Sequence, residues 1–267
     1  RNVNVPEAKP EAVGFSSVRL KRLDAGMKAI VDNKQLAGIS TLVTRHGQIV
    51  QQMTYGQKDI ASNSPLEKDT IVRIYSMTKP ITGVAMMILY EEGKWKPSDP
   101  ISRHIPEFKD LKVFKSLDAD GKPVAELPGH PPTMGELMSH TAGFTYGLFG
   151  SSAVDKMYSQ ANLLGAASLK EFIDKLAPLP LAYEPGQGWV YSVSVDIQGY
   201  LVEKLSGQPF ADFLRTRIFE PLGMNDTAFF VPENKLSRLA TVYQLTAEGL
   251  KPMPPDPNDS KAPRFPS

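Results

Sequence analysis

The longest apolar segment of the chain, Ile81 to Tyr90, constrains its fold most. Thr82 and Gly83 interrupt it, and it is shorter than the roughly 20 apolar residues that a helix needs to cross a bilayer. We therefore predict a helix buried in a globular protein and no transmembrane segment. Since glycine commonly terminates helices, Gly93 sets the predicted end, and the helix is expected from about Ser76 to Glu92.

Composition excludes several functional classes. The chain has 30 Lys and Arg against 29 Asp and Glu, without a basic block, so we expect no nucleic-acid partner. It has no cysteine, which excludes disulfides and cysteine-bound metals. The sequence contains no His-Glu-x-x-His zinc motif, Gly-x-Ser-x-Gly elbow or glycine-rich nucleotide loop, so no metal and no cofactor is predicted. Nothing in the composition distinguishes a cytoplasmic from a periplasmic or secreted location.

Apolar periodicity and turn residues predict the remaining elements. These are a helix capped by Ser16 or Ser17 and ending near Lys34, a hairpin of strands Gly38–Arg45 and Gln48–Tyr55, short helices at Met134–His140 and Leu169–Leu176, and helices at Ser194–Leu205 and Phe210–Phe219. The region from Pro97 to Pro185 is otherwise irregular. The segment from Lys251 to Ser267 carries six prolines and is predicted to be a linker without a fold of its own.

Ser76 and Lys79 are the first candidates for chemistry. Residues three apart on a helix differ by about 300° and about 4.5 Å of rise, so they share a face and the amine can reach the hydroxyl. A serine is a poor nucleophile until a base takes its proton, and a lysine can help when burial or a nearby cation lowers its pKa. The spacing alone is a weak signal, because a solvated serine and lysine on a surface helix would match it equally well.

Four ordered segments carry a family resemblance between about residues 12 and 243. They are Arg73-Ile-Tyr-Ser-Met-Thr-Lys-Pro-Ile-Thr82, Leu137-Met-Ser-His-Thr-Ala-Gly-Phe144, Pro185-Gly-Gln-Gly-Trp-Val-Tyr-Ser-Val193 and Glu220-Pro-Leu-Gly-Met224. Together they resemble the serine β-lactamase and penicillin-binding-protein superfamily, most closely its class C-like branch, which includes carboxylesterases. The resemblance implies an α+β fold: an antiparallel sheet flanked by helices, with an inserted, mostly helical domain. We expect residues 1–95 to begin the α/β domain, 96–245 to form the inserted domain, and 246–267 to be a linker.

The resemblance also implies roles for individual residues. Ser76 would be the acylated nucleophile, Lys79 would assist its deprotonation, and Tyr191 would act as general base or acid. Taken alone, Tyr191 fits a core tyrosine with a bonded hydroxyl better than a catalytic residue, and only the resemblance reverses this preference. His140, near a predicted helix end, is expected to be structural.

Two departures from the family pattern bear on function. Val193 stands where β-lactamases usually carry an asparagine that contacts the substrate amide, which favours a carboxylesterase. The family's third motif, a strand that supplies a second oxyanion N–H, does not follow Tyr191. We therefore expect a missing C-terminal part of the sheet, from the same protein, to complete the fold.

The predicted function is a serine hydrolase that cleaves short-chain carboxylic esters through an acyl-enzyme on Ser76. Alternatives are a β-lactamase or D-Ala-D-Ala-type peptidase acting on β-lactams or peptides, an acyltransferase, and an inactive ligand-binding relative. The substrate would be a small molecule. Residues expected to line its pocket are Tyr75, Phe144, Tyr146, Phe149, Trp189 and Val193.

Overall fold

The computed structural model describes residues 5–254. Within them the chain forms two compact units, one made of residues 5–74 with 222–254 and the other of residues 75–221. This grouping differs from the expected division at residues 95 and 245, which stays a prediction about the domains of the protein.

The first unit consists of one long helix and short antiparallel ladders. Its elements are α1 (Ser17–Asp32), β1 (Gly38–Arg45), β2 (Gln48–Asp59), β3 (Ser64–Pro65), and, after the second unit in the chain, β6 (Tyr243–Thr246) and β7 (Gly249–Pro252). Strands β1, β2 and β3 form one sheet in that order, and β6 pairs only with β7 within the described residues. Helix α1 begins as predicted, because Ser16 accepts a hydrogen bond from the Arg19 N–H.

The β1–β2 hairpin is confirmed, and its turn has a local cause. His46 and Gly47 have φ values of 51° and 70°, the left-handed pair that a two-residue hairpin turn requires. Strand β2 runs four residues past the predicted end at Tyr55, because its last residues pair with β3. The sequence did not indicate this extension, because Gly56 and the polar residues after it are typical of a loop.

The segment 222–254 is joined to the N-terminal residues of the first unit by specific polar contacts. The Thr241 hydroxyl donates to the Asp59 carboxylate at 2.6 Å, and the Ile60 N–H donates to the Tyr243 hydroxyl at 2.7 Å. Strand β7 includes Lys251 and Pro252. The predicted linker, residues 246–267, is therefore wrong at its start, because Thr246 ends β6 and Gly249–Pro252 form β7, while residues 255–267 lie outside the described part of the chain.

The second unit is mostly helical. Its elements are α2 (Thr78–Glu91), β4 (Val113–Leu117), β5 (Pro123–Glu126), α3 (Met134–Met138), α4 (Ala153–Gln160), α5 (Leu169–Leu176), α6 (Ser194–Ser206) and α7 (Phe210–Leu214), which continues as a π-helical turn (Arg215–Phe219) and a last helical turn, α8 (Glu220–Leu222). Single 3₁₀ turns lie at Tyr75–Met77, Ile101–Arg103, Pro106–Phe108 and Leu163–Gly165. The β4–β5 hairpin and α4 fall in the region that the sequence pattern left irregular.

Helices α2 and α6 pack together at the centre of the second unit. Met86 and Leu89 of α2 and Ile197 and Leu201 of α6 are all fully buried. The prediction of a buried α2 holds for this face only, because Val84 and Met87 on the other side are about half exposed, at 50% and 44%. Among residues 5–254, none of the helices combines the length and apolarity needed to cross a bilayer.

Candidate active site

Ser76 lies in a 3₁₀ turn, Tyr75–Met77, that leads directly into α2. Tyr75 has a φ of 43°, a left-handed conformation that is unfavourable for an aromatic residue and that turns the chain just before the serine. Pro80 falls in the first turn of α2, where its missing N–H has no helical partner to lose. Ser76 is consequently exposed at the start of the helix, and Lys79 is half-buried one turn later.

Tyr191 lies in the loop before α6, and its side chain reaches Ser76. Its hydroxyl is 2.6 Å from the Ser76 Oγ, and the Lys79 Nζ donates to that Oγ at 3.4 Å. The Lys79 Nζ also lies 4.5 Å from the centre of the Tyr191 ring. The three residues singled out in the sequence, Ser76, Lys79 and Tyr191, therefore contact one another in one compact unit.

Hydrogen bonds and burial shift the pKa values of the ionisable groups at this site in opposite directions. Lys79, and after it Ser76, lower the pKa of the Tyr191 phenol below its ordinary value, against an opposing effect of burial. Burial raises the pKa of Asp196, in the first turn of α6, to about 6, although Lys79 opposes this. Burial also raises the pKa of Tyr146 to about 12. Tyr191 therefore ionises more easily than Tyr146.

Aromatic rings surround Tyr191. The Tyr146 ring stacks on it with centroids 5.5 Å apart and planes within 7°, and Phe149 tilts against both rings. Trp189 lies 6.5 Å from Tyr191. Phe149 and Trp189 are 76% and 63% exposed, so each offers an open ring face beside the serine's partner.

The predicted pocket residues divide into two groups. Tyr146, Phe149 and Trp189 contact Tyr191, and Tyr75 is 63% exposed next to Ser76.

Phe144 and Val193 belong to the second group. The Phe144 side chain is buried and packs against Phe108 at 5.6 Å, so it is a core residue. The Val193 side chain is fully buried at the start of α6, and its backbone N–H donates to the Thr145 carbonyl at 3.2 Å. Apolar type alone did not distinguish these inward positions from pocket positions.

Two site residues did not emerge from the sequence. His140 contacts the site directly: its ring stacks on Tyr191 at 5.5 Å with planes within 21°. Asp196 interacts electrostatically with Lys79 and Tyr146. The available signals were the place of His140 in the family-like segment Leu137–Phe144 and the carboxyl group of Asp196 in the first turn of a predicted helix.

The segment that carries His140 is held in place by a close backbone approach. Gly143 has a φ of 93°, and a Cβ added there would lie 2.5 Å from the Tyr183 carbonyl oxygen. The Gly143 carbonyl in turn accepts a hydrogen bond from the Ala182 N–H at 2.7 Å. Only glycine fits this contact without displacing the backbone. In the described part of the chain, no group of three or more His, Cys, Asp or Glu side chains is placed to hold a metal ion.

Comparison with known proteins places this site in a family. The family model described as Beta-lactamase matches residues 23–263. Protein Rv1367c of Mycobacterium tuberculosis is 33% identical over 222 residues, which cover 83% of this chain and 54% of that protein. Esterase EstB of Burkholderia gladioli is 32% identical over 241 residues, covering 88% of this chain and 57% of the esterase. The chain thus spans about half the length of these relatives.

Solved structures show the same fold. The structure described as EstCE1, a hydrolase with promiscuous acyltransferase activity, aligns with a TM-score of 0.77 at 26% identity, covering 93% of this chain and 67% of that one. This confirms the predicted α+β, β-lactamase/transpeptidase-like fold, while the expected C-terminal completion of the sheet stays a prediction. The motifs around Ser76 and Tyr191, the family match and the fold agree: the chain belongs to the beta-lactamase family.

Proposed function

We propose that this chain carries the active site of a serine hydrolase that cleaves short-chain carboxylic esters through a covalent acyl-enzyme on Ser76. The observation that carries the proposal is the 2.6 Å contact between the Ser76 Oγ and the Tyr191 hydroxyl, beside the Lys79 amine. A nucleophile within hydrogen-bond reach of its base, and a base oriented by a third group, is the arrangement that activated serines require. The similarity to Esterase EstB supports the same class of reaction.

In the first half-reaction, Tyr191 acts as a phenolate and takes the proton of Ser76 as the Oγ attacks the ester carbonyl. Two observations favour Tyr191 over Lys79 as the base: its shorter distance to the Oγ, 2.6 Å against 3.4 Å, and the lowering of its pKa by Lys79. A base with a pKa nearer neutrality is deprotonated more often at working pH. When the tetrahedral intermediate collapses, the phenol returns the proton to the departing alkoxide, which leaves as the alcohol.

The second half-reaction reverses these roles. Tyr191 takes a proton from a water molecule, which attacks the acyl-Ser76 carbonyl and releases the carboxylic acid. The proton then passes from Tyr191 to the Ser76 Oγ, which restores the free enzyme. In both steps the backbone N–H of Ser76 is the proposed oxyanion donor, because it lies at the start of α2, where the partial positive charge of the helix favours an anion.

The surroundings of the serine favour a neutral ester over a β-lactam. Phe149 and Trp189 present exposed aromatic faces, which suit an apolar ester and offer no charged partner for a carboxylate. Val193 turns its side chain into the core, so this position provides no polar group for an amide. Tyr75, Tyr146, Phe149 and Trp189 are proposed to line the pocket. Neither Phe144 nor the Val193 side chain is included.

Transfer of the acyl group to an alcohol is a second candidate, on the same chemistry. Ser76 is exposed, so an alcohol can reach the acyl group as readily as water can. The promiscuous acyltransferase activity in the description of EstCE1 favours this alternative. A primary alcohol added during ester hydrolysis distinguishes the two outcomes, since transfer yields a new ester at the expense of free acid.

The proposal is tested by mass spectrometry of the intact protein after exposure to a serine-reactive aryl phosphonate, with the Ser76→Ala variant as control. We expect one adduct on the wild-type protein and none on the variant. Hydrolysis of p-nitrophenyl esters of two to twelve carbons should then be fastest for the short acyl chains. Faster turnover of a cephalosporin or of a D-Ala-D-Ala peptide would favour the β-lactamase or peptidase alternative, and the absence of any adduct would favour an inactive ligand-binding relative.

A further inference from the structure

His140 contacts the chain on both sides of Tyr191. Its backbone carbonyl accepts the N–H of Val190 at 3.1 Å, and its ring nitrogen Nδ1 accepts the N–H of Ser192 at 3.2 Å. The two residues that flank Tyr191 are thus bonded to one histidine. The imidazole ring itself stacks on the Tyr191 ring, with centroids 5.5 Å apart.

The end of helix α3 explains how one residue can reach all three positions. His140 has a φ of 59°, the left-handed conformation of a residue just past a helix end. The Thr141 N–H bonds back to the Glu136 carbonyl at 2.8 Å and the His140 N–H to the Leu137 carbonyl at 3.4 Å, which is the Schellman pattern of a helix C-terminus. Glycine or asparagine usually occupies this position, so a histidine there is unfavourable for the backbone.

The protonation state of His140 follows from its contacts. Nδ1 accepts the N–H of Ser192 and also lies 3.0 Å from the Ser192 Oγ, whose hydroxyl can donate to it as well. With Nδ1 as the acceptor of the backbone N–H, the ring proton lies on Nε2. Burial, and next the charge of Lys79, lower the pKa of His140, which keeps the ring neutral and Nδ1 available as an acceptor. The ionisable groups that face the ring are Lys79 from α2 and Tyr191 from the loop before α6.

We propose that His140 is a positioning residue, which holds the backbone on both sides of Tyr191 and the face of its ring so that the phenol points at Ser76. The inference rests on the proposed function, in which Tyr191 is the base. It assigns to His140 a role beyond ending α3, because any residue that tolerates a positive φ could end the helix. Neither the acceptor at Nδ1 nor the flat ring is needed for that purpose.

Three variants separate these roles. His140→Gly suits the positive φ but removes both the acceptor and the ring. His140→Asn also suits this φ, and its amide oxygen can take the place of Nδ1. His140→Phe keeps a ring without an acceptor. Thermal unfolding of each variant identifies any that fails to fold.

We expect His140→Gly to lower kcat for a p-nitrophenyl ester by about 10- to 100-fold, with a change in KM below about threefold, because a base displaced by about 1 Å transfers protons poorly. His140→Asn should recover most of kcat, and His140→Phe should fall between the two. The rising limb of kcat/KM against pH should move to higher pH in His140→Gly, since a Tyr191 displaced from Lys79 regains a higher pKa. A purely structural role would leave that limb where it is.

The inference is overturned if His140→Gly matches the wild type in kcat and in pH profile, or if His140→Asn is no better than His140→Gly. Amide hydrogen exchange tests the contact separately from catalysis. The Ser192 N–H should exchange faster in His140→Gly than in the wild type and be protected again in His140→Asn, while the Val190 N–H, which is bonded to the backbone carbonyl that every variant keeps, is the internal control. If the wild type hydrolyses no ester, the proposed function fails. Equal exchange rates of the Ser192 N–H in the wild type, His140→Gly and His140→Asn would then overturn the role of His140 as well.

Discussion

The two units of this protein differ in how they are held together. In the described residues of the first unit, Leu20 and Val50 are the buried apolar side chains, and the ladder of β1 and β2 and polar contacts such as Thr241 with Asp59 supply much of the remaining order. The second unit buries apolar residues from every helix between α2 and α7. All three proposed catalytic residues lie in this second unit, which provides the rigid surroundings that a 2.6 Å nucleophile–base contact needs.

Changes at matched serines should give the largest contrast between the units. Ser76→Ala in the second unit should lower ester hydrolysis by at least about 10⁴-fold, because the nucleophile is lost. Ser40→Ala, at an exposed position of β1, should leave the rate unchanged. Steady-state assays of both purified variants, with circular dichroism to confirm folding, test the contrast. Comparable activity in the two variants would remove Ser76 from the mechanism.

Deletion of apolar side chains should separate the units by stability. Leu201→Ala removes a fully buried side chain of α6 and should reduce the free energy of unfolding by about 2–5 kcal/mol. Leu42→Ala removes a side chain of β1 that is 58% exposed, so the loss should stay below about 1 kcal/mol. Urea titrations followed by tryptophan fluorescence and circular dichroism measure both. Similar losses would mean that the difference in packing is not a difference in energy.

Two glycines with positive φ, one in each unit, allow the stability cost of an added Cβ to be compared between the units. Gly143 in the second unit and Gly47 in the first have φ values of 93° and 70°, but only Gly143 has backbone atoms in the space that a Cβ would take. Gly143→Ala should therefore cost about 2–4 kcal/mol, from backbone strain together with overpacking. Gly47→Ala should cost about 1–2 kcal/mol, from strain alone. Differential scanning calorimetry of the two variants checks the order, which equal shifts in Tm would contradict.

The smallest expected effect is a difference in pH dependence. Hydrogen bonds from Ser62 and Thr241 lower the pKa of Asp59, in the first unit, to about 2, whereas burial raises the pKa of Asp196, in the second, to about 6. The unfolded pKa of both is near 3.8. Asp59 therefore contributes stability above about pH 4 that is lost as pH falls toward 2. Asp196 binds a proton more readily when folded, so its contribution weakens as pH rises from about 4 to 6.

Unfolding by urea at about pH 7, 4 and 2.5 tests these opposite signs. Asp196→Asn should flatten the change between pH 7 and 4 and leave the acid limb below pH 4 intact. Asp59→Asn should flatten the acid limb only. If Asp196→Asn unfolds with the same dependence on pH as the wild type, then the burial of this carboxyl group does not affect stability.

Much of the local structure was predictable because its causes are local. The bounds of β1 and α5 coincide with the predicted ones, since alternating β-branched residues in one and a clear apolar period with a serine cap in the other specify them. Ser76 and Lys79 could be paired because helical spacing relates them directly. The short β4–β5 hairpin lacked such a pattern, and α4 depends on a capping box of Ser152 and Asp155 that weak periodicity did not reveal.

By itself, the sequence determined the main helices, the first hairpin, the family and the residues proposed for catalysis, because spacing and motifs encode these along the chain. Only the tertiary structure decided which aromatic residues face the site, because burial depends on what packs from distant segments. Phe144 turned inward and Trp189 outward on that basis. For the same reason the sequence did not predict that His140 lies at the site. Its contacts with Tyr191 and Ser192 join positions about 50 residues apart, and no local pattern indicates them.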